Sequence, residues 1–86
     1  MTYFFTSSGW ETDLKPGDLF VYSTGLTLWD TTQTIVEQSV VERLVGGEVC
    51  TVLAVTGEPG RRDYVVLAPS QKYGWTTLAR VFVQRV

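Results

Sequence analysis

The run Glu48-Val49-Cys50-Thr51-Val52-Leu53-Ala54-Val55 decides the fold. Alternation places Val49, Thr51, Leu53 and Val55 on one side and Cys50, Val52 and Ala54 on the other. Both sides are largely apolar, the pattern of a strand buried on two faces. Glu58-Pro59-Gly60-Arg61 then reads as a tight turn, and Tyr64-Val65-Val66-Leu67-Ala68 as the returning strand. Pro69 stops that strand because it cannot donate to a ladder. Ser70-Gln71-Lys72-Tyr73-Gly74 connects to a further strand at Trp75-Thr76-Thr77-Leu78, and Arg80 to Val86 forms the last. In that last strand Val81 and Val83 are expected to face opposite to Phe82 and Val86.

Upstream, Leu14-Lys15-Pro16-Gly17-Asp18 has Pro and Gly where a type II turn needs them. It launches a strand over Asp18 to Thr24, with Leu19, Val21 and Ser23 on one side and Phe20, Tyr22 and Thr24 on the other. Bulk on both sides predicts that this strand is largely covered. Residues 25–46 support two readings. Asp30-Thr31-Thr32-Gln33 fits a helix capping box, Gly46-Gly47 fits a stop, and Val36, Val40 and Leu44 would share a helical face. The crowding of Thr and Val, with Glu37 beside that stripe, favours a long excursion containing irregular strand.

Composition agrees with strands and limits the chemistry. Val, Thr and Ile supply 26 of 86 residues, whereas Ala and Lys together supply 5. The length fits one domain. The chain has no His and a single Cys. No imidazole base, Cys-His pair, zinc site of sulfur and nitrogen ligands or internal disulfide can therefore be assembled from it. Cys50, inside an apolar run, reads as a small buried hydrophobe rather than a reactive thiol. No phosphate-cradling loop or cofactor motif is visible, and no cofactor, metal or catalytic residue is expected. Apolar runs are too short to cross a membrane. Met1-Thr2-Tyr3-Phe4-Phe5-Thr6 has no basic n-region, so the expected location is a reducing cytoplasm, or a virion assembled in one.

Net charge is −2, split as −4 over residues 1–46 and +2 over residues 47–86. No basic stripe accompanies it, which argues against nucleic acid as a partner. Arg61-Arg62 lies between Glu58 and Asp63 and reads as a self-neutralised turn. Glu11 with Asp13, and Glu37 with Glu42, are neighbours in sequence only; a carboxylate mechanism needs them opposed across a cleft.

The order of these pieces resembles the Src-homology-3-like small β-barrel. Gly17-Asp18-Leu19-Phe20-Val21-Tyr22 is similar to its first strand, 25–46 to its long first loop, 47–56, 63–69 and 74–78 to its three-stranded meander, and 81–86 to its closing strand. Gly74-Trp75-Thr76-Thr77-Leu78-Ala79-Arg80-Val81-Phe82-Val83 is similar to the family's Gly-Trp strand, single turn and aliphatic closing strand. The resemblance implies an all-β, five-stranded barrel over residues 14–86; ahead of it, residues 1–13 read as an N-terminal aromatic arm. The chain lacks the Ala-Leu-Tyr-Asp-Tyr opening and the proline before the closing strand, so recognition of proline-rich peptides is not implied.

What remains is contact with other proteins. Tyr3, Phe4, Phe5 and Trp10 put four aromatics in the first ten residues, either as a docking element or as an extra strand closing the chain's own barrel. Tyr22, Trp29, Tyr73 and Trp75 are candidates for a recognition surface. The expected function is a non-enzymatic structural or assembly module, a small phage or viral particle component or an adaptor, working as a homo-oligomer or within a larger assembly. The alternative is a stand-alone intracellular domain that binds a protein or peptide through those aromatics; a nucleic-acid-associated barrel is a third and weaker reading.

Overall fold

The computed structural model describes residues 7–30 and 39–86. Seven strands, β1 Leu19–Tyr22, β2 Leu26–Trp29, β3 Val40–Leu44, β4 Val49–Glu58, β5 Arg61–Leu67, β6 Tyr73–Thr76 and β7 Val83–Arg85, form one sheet in the order β3-β2-β6-β5-β4-β1-β7. Every pairing is antiparallel. Among the described residues, no helix is long and apolar enough to cross a membrane.

The all-β class and both Pro-Gly turns match the sequence reading. Gly17 sits at φ 95° and the Asp18 N–H donates to the Lys15 carbonyl at 2.9 Å, closing the turn ahead of β1. Only a residue tolerant of positive φ suits that place. At the other turn Glu58 pairs with Arg61, so β4 and β5 form a tight hairpin.

The strand count is seven where five were expected. The two additions are β2 and β3, a hairpin within residues 25–46. Val40–Leu44 is strand, as Val and Thr content favoured; the capping box beyond Asp30 and Val36 lie outside the described residues. A second difference concerns the end of the chain. Arg80–Phe82 is a 3₁₀ turn, and strand begins only at Val83, so the alternation expected from Val81 onward does not apply.

The third difference decides where a site can be. Phe20, Tyr22, Leu28, Leu44, Cys50 and Val52 meet Tyr64, Val66 and Leu78 in one core. Strands β1 to β5 all send buried apolar side chains to it, and no second layer covers them among the described residues. A sheet in that position buries its apolar side only by curling until its two halves face one another, a half-barrel. Its other face is left outside. Leu19, Val49 and Leu53 are 45%, 46% and 42% exposed, so β1 and β4 are covered on one side, not on both. A β-bulge at Leu53 adds to this: the register steps from Val52↔Val66 to Ala54↔Val65. The shift sends Ala54 outward and lets Val55 pack against the core, opposite to simple alternation.

Residues 11–14 lie along the inner side. The Tyr64 ring is fully buried and its hydroxyl is 2.8 Å from Thr12 Oγ1 while accepting the Thr12 N–H at 3.2 Å. Leu14 enters the core.

Candidate protein-contact face

The outer face is built by register. Trp29 stands opposite Trp75, Trp75 opposite Val65, and Val65 opposite Ala54, forming a row across β2, β6, β5 and β4. A second row runs Tyr73, Leu67, Thr51 and Leu19 across β6, β5, β4 and β1. Beyond it Val49 pairs with Val21 and Val21 with Gln84. Residues in these rows alternate with core residues along their strands, which is why they point away from the core. No Asp, Glu, Lys or Arg occupies any of these positions.

The band is therefore apolar and uncharged over about four inter-strand steps, or ~19 Å. Two rows and the flanking Val49–Val21 pair give it roughly 300–400 Å², the size at which a surface patch often has a role. Charges begin at its rim. Arg61 and Asp63 continue the outer side of β5 beyond Val65, and Arg43 pairs with Thr27 at the β3 edge.

The aromatics singled out from sequence separate into groups. Trp29, Tyr73 and Trp75 come together on the outer face, with Tyr73 63% exposed and both tryptophans half-buried. Tyr22 is in the core. Its hydroxyl accepts the Ala79 N–H at 3.0 Å, and its ring meets Phe82 edge-on at 5.6 Å. Trp10 is partly exposed at the end of the 3₁₀ turn Ser7–Trp10, which touches β5 and the Arg80–Phe82 turn. Tyr3, Phe4 and Phe5 lie outside the described residues. Leu19, Val49, Leu53 and Leu67 were not identified from sequence. The signal was present as strands apolar on both sides in a chain with too few elements to cover both.

A separate open groove of about 370 Å³ is lined by Glu11, Thr12, Asp13 and Arg80. Its charged groups hold the N-terminal segment in place. Glu11 accepts the Gly60 N–H at 2.9 Å and the Arg62 Nε–H at 3.0 Å, and these bonds lower its pKa, the Gly60 bond most. Arg80 Nε donates to the Glu11 carbonyl at 3.0 Å. Arg85 bridges Asp13 at 3.0 Å and Asp18 at 3.3 Å; its bond to Asp13 lowers the Asp13 pKa and raises its own. Groups already bonded to one another offer a ligand little. Among the described residues no cluster of three metal-binding side chains occurs. Burial, with Glu48 and Glu42 nearby, pushes the Cys50 thiol up to about 11, the opposite of a reactive cysteine. Comparison with protein families, curated proteins and solved structures found no match.

Proposed function

We propose that the chain is a non-enzymatic assembly module that acts through protein–protein contacts, a small component of a phage or viral particle or an adaptor in a comparable complex. The observation that carries this reading is the uncharged band on the outer face, with Leu19, Leu53 and Tyr73 open to solvent at its surface. Apolar groups on a small domain are costly to leave in water, and contact with another protein removes them from it. The lack of His and of a second Cys supports a role without catalysis. A Src-homology-3-like plan belongs to the same proposal. Its support is the order β7-β1-β4-β5-β6, a meander flanked by first and closing strands, with the β2–β3 hairpin in the place of the long first loop.

The test is the native size of the chain in a lysate of its own source. The proposal expects it in fractions far above the size of the free chain, and expects the double variant Leu53→Lys, Tyr73→Glu to run as the free chain while remaining folded. Wild-type protein running at its own size would overturn it. The stand-alone peptide-binding reading uses the Trp29–Trp75 part of the same band, and is favoured instead if the free chain binds an isolated peptide there.

A further inference from the structure

We propose that residues 7–13 are a strap that lifts from the inner side of the sheet as a unit while the sheet stays folded, and that contacts between its acids and three arginines are the latch. The device is on the side away from the apolar band and does not depend on what covers that band.

The first observation is how the segment is attached. Downstream it is fixed: the Gly17 N–H donates to the Val52 carbonyl at 2.8 Å, the Val52 N–H donates to the Asp18 carbonyl at 2.9 Å, and Leu14 is buried in the core. Upstream of Leu14 the attachment changes in kind. Among the described residues, 11–13 form no backbone–backbone hydrogen bond with any strand, and every bond that holds them to the sheet has a side chain at one end or both. None of Glu11, Thr12 and Asp13 is buried, and Trp10 is exposed. Lifting them leaves Leu14 seated and costs the core nothing. Open grooves flank the segment as well, one of about 370 Å³ beside Arg80 and one of about 300 Å³ beside Val55 and Arg62. A segment held from beneath by a few polar contacts belongs to the low-stability end of a fold.

The second observation is the latch. Arg62 on β5, Arg80 in the 3₁₀ turn and Arg85 on β7 reach this one segment from three separate elements. Arg62 Nε donates to the Glu11 carboxylate at 3.0 Å while its Nη1 donates to the Gly57 carbonyl at 2.6 Å. Arg80 Nε donates to the Glu11 carbonyl at 3.0 Å. Arg85 Nη2 donates to the Asp13 carbonyl at 2.8 Å and pairs with its carboxylate at 3.0 Å, and Arg85 Nη1 is shared with Asp18 at 3.3 Å. Lys15, on the segment's own continuation, adds a further positive charge near Asp13. The bond between Thr12 and the Tyr64 hydroxyl is the uncharged part of the hold.

Such a latch responds to its surroundings. The Glu11 and Asp13 side chains are 27% and 86% exposed, so salt reaches both, and at about 1 M it screens charges beyond roughly 3 Å. Acid acts in the same direction. The Gly60 and Arg62 bonds hold Glu11 below 4.5 in the closed state, and the Arg85 bond holds Asp13 below 3.8. An acid released from these bonds takes up its proton at higher pH, so the closed state is favoured above the ordinary carboxylate range and loses that advantage as pH falls through the depressed values. Low pH or high salt thus opens the inner side of the sheet and frees the Tyr64 hydroxyl and the Gly60 N–H together.

Native-state amide exchange, read by NMR on the full chain, tests the strap. Three amides report its position: Thr12, bonded to the Tyr64 hydroxyl, Leu14, bonded to Thr12 Oγ1, and Gly60, bonded to Glu11. At low salt and about pH 6 they should exchange through one common opening that low urea does not accelerate, while amides of the β4–β5 hairpin exchange only through global unfolding. Salt at about 1 M should lower the protection of these three amides relative to the hairpin, and so should acid near pH ~3. Glu11→Gln and Asp13→Asn should each lower it roughly two- to fivefold. The amide spectrum identifies a variant that has not folded, and the salt series on the wild type then carries the test. Three amides as protected as the hairpin, with its urea dependence, overturn the strap, as do three that are unprotected from the outset or that open independently. Protection indifferent to salt, or to both substitutions in folded variants, overturns the latch.

Discussion

Trp29 on β2 and Trp75 on β6 stand directly opposite one another, and among the described residues theirs is the register pair that ties the β2–β3 hairpin to the β4–β5–β6 meander. The junction is close because Gly74 precedes Trp75. A Cβ at residue 74 would lie 2.8 Å from the Trp29 carbonyl oxygen and 3.0 Å from Leu28 Cβ. Two effects compete in Gly74→Ala: strand propensity favours Ala by about 0.5–1 kcal/mol, and the backbone clash costs about 1–3 kcal/mol. Backbone cannot yield as a flexible side chain can, so the clash wins. Chemical denaturation is expected to show net destabilisation, and an unchanged or more stable variant would show that β2 and β6 are not packed this closely.

Tyr64→Phe removes a hydroxyl that meets both Thr12 Oγ1 and the Thr12 N–H. The ring remains, so core packing is preserved and the loss reports the hydrogen bonds alone. The expected cost is about 1–2 kcal/mol in urea unfolding. An unchanged midpoint would mean that residues 11–14 are not anchored through this hydroxyl.

Acid sensitivity should follow Glu11. The Gly60 N–H and Arg62 hold its folded pKa below 4.5, so as pH falls the unfolded chain takes up the proton first. The stability from these bonds is present above pH 4.5 and is lost as pH falls through the depressed folded value. Urea midpoints measured from about pH 7 to about pH 3 should fall less steeply in Glu11→Gln than in wild type. Identical slopes would remove Glu11 from the account.

The buried Cys50 thiol, raised to about 11, should resist iodoacetamide in the folded protein at about pH 8 and react once the chain is unfolded in urea. Rapid labelling under native conditions would contradict its burial. Linkage gives a second reading. The folded pKa lies above the ordinary thiol value of 9.0, so the stabilising contribution is present below pH 9.0 and is lost as pH rises toward about 11.

Turns were the most legible part of the sequence, because Pro16-Gly17 and Pro59-Gly60 encode local backbone geometry that needs no tertiary context. The meander was legible for the same reason, being bounded by such turns. Residues 40–44 were ambiguous because a strand at a sheet edge, with Leu44 its one buried side chain, has no strong period of its own. The bulge at Leu53 was hidden altogether: an extra residue reverses the later alternation without changing composition. Of the site, aromatic content pointed to Trp29, Tyr73 and Trp75 but equally to Tyr22, whose hydroxyl finds Ala79 only after the chain has folded. The two-sided apolar pattern of β1 and β4 was read as cover on both sides. It marks one side for this chain's core and leaves the other exposed.

Hydroxyl-radical footprinting of the purified chain and of the chain in its native fractions tests the contact face most directly, because it reads individual side chains. Leu19, Leu53 and Tyr73 should lose labelling in the native fractions, while Val45 and Val81, exposed at 71% and 74% but outside the rows of the band, should not. Protection at Val45 or Val81 with Leu53 and Tyr73 still labelled would contradict the account.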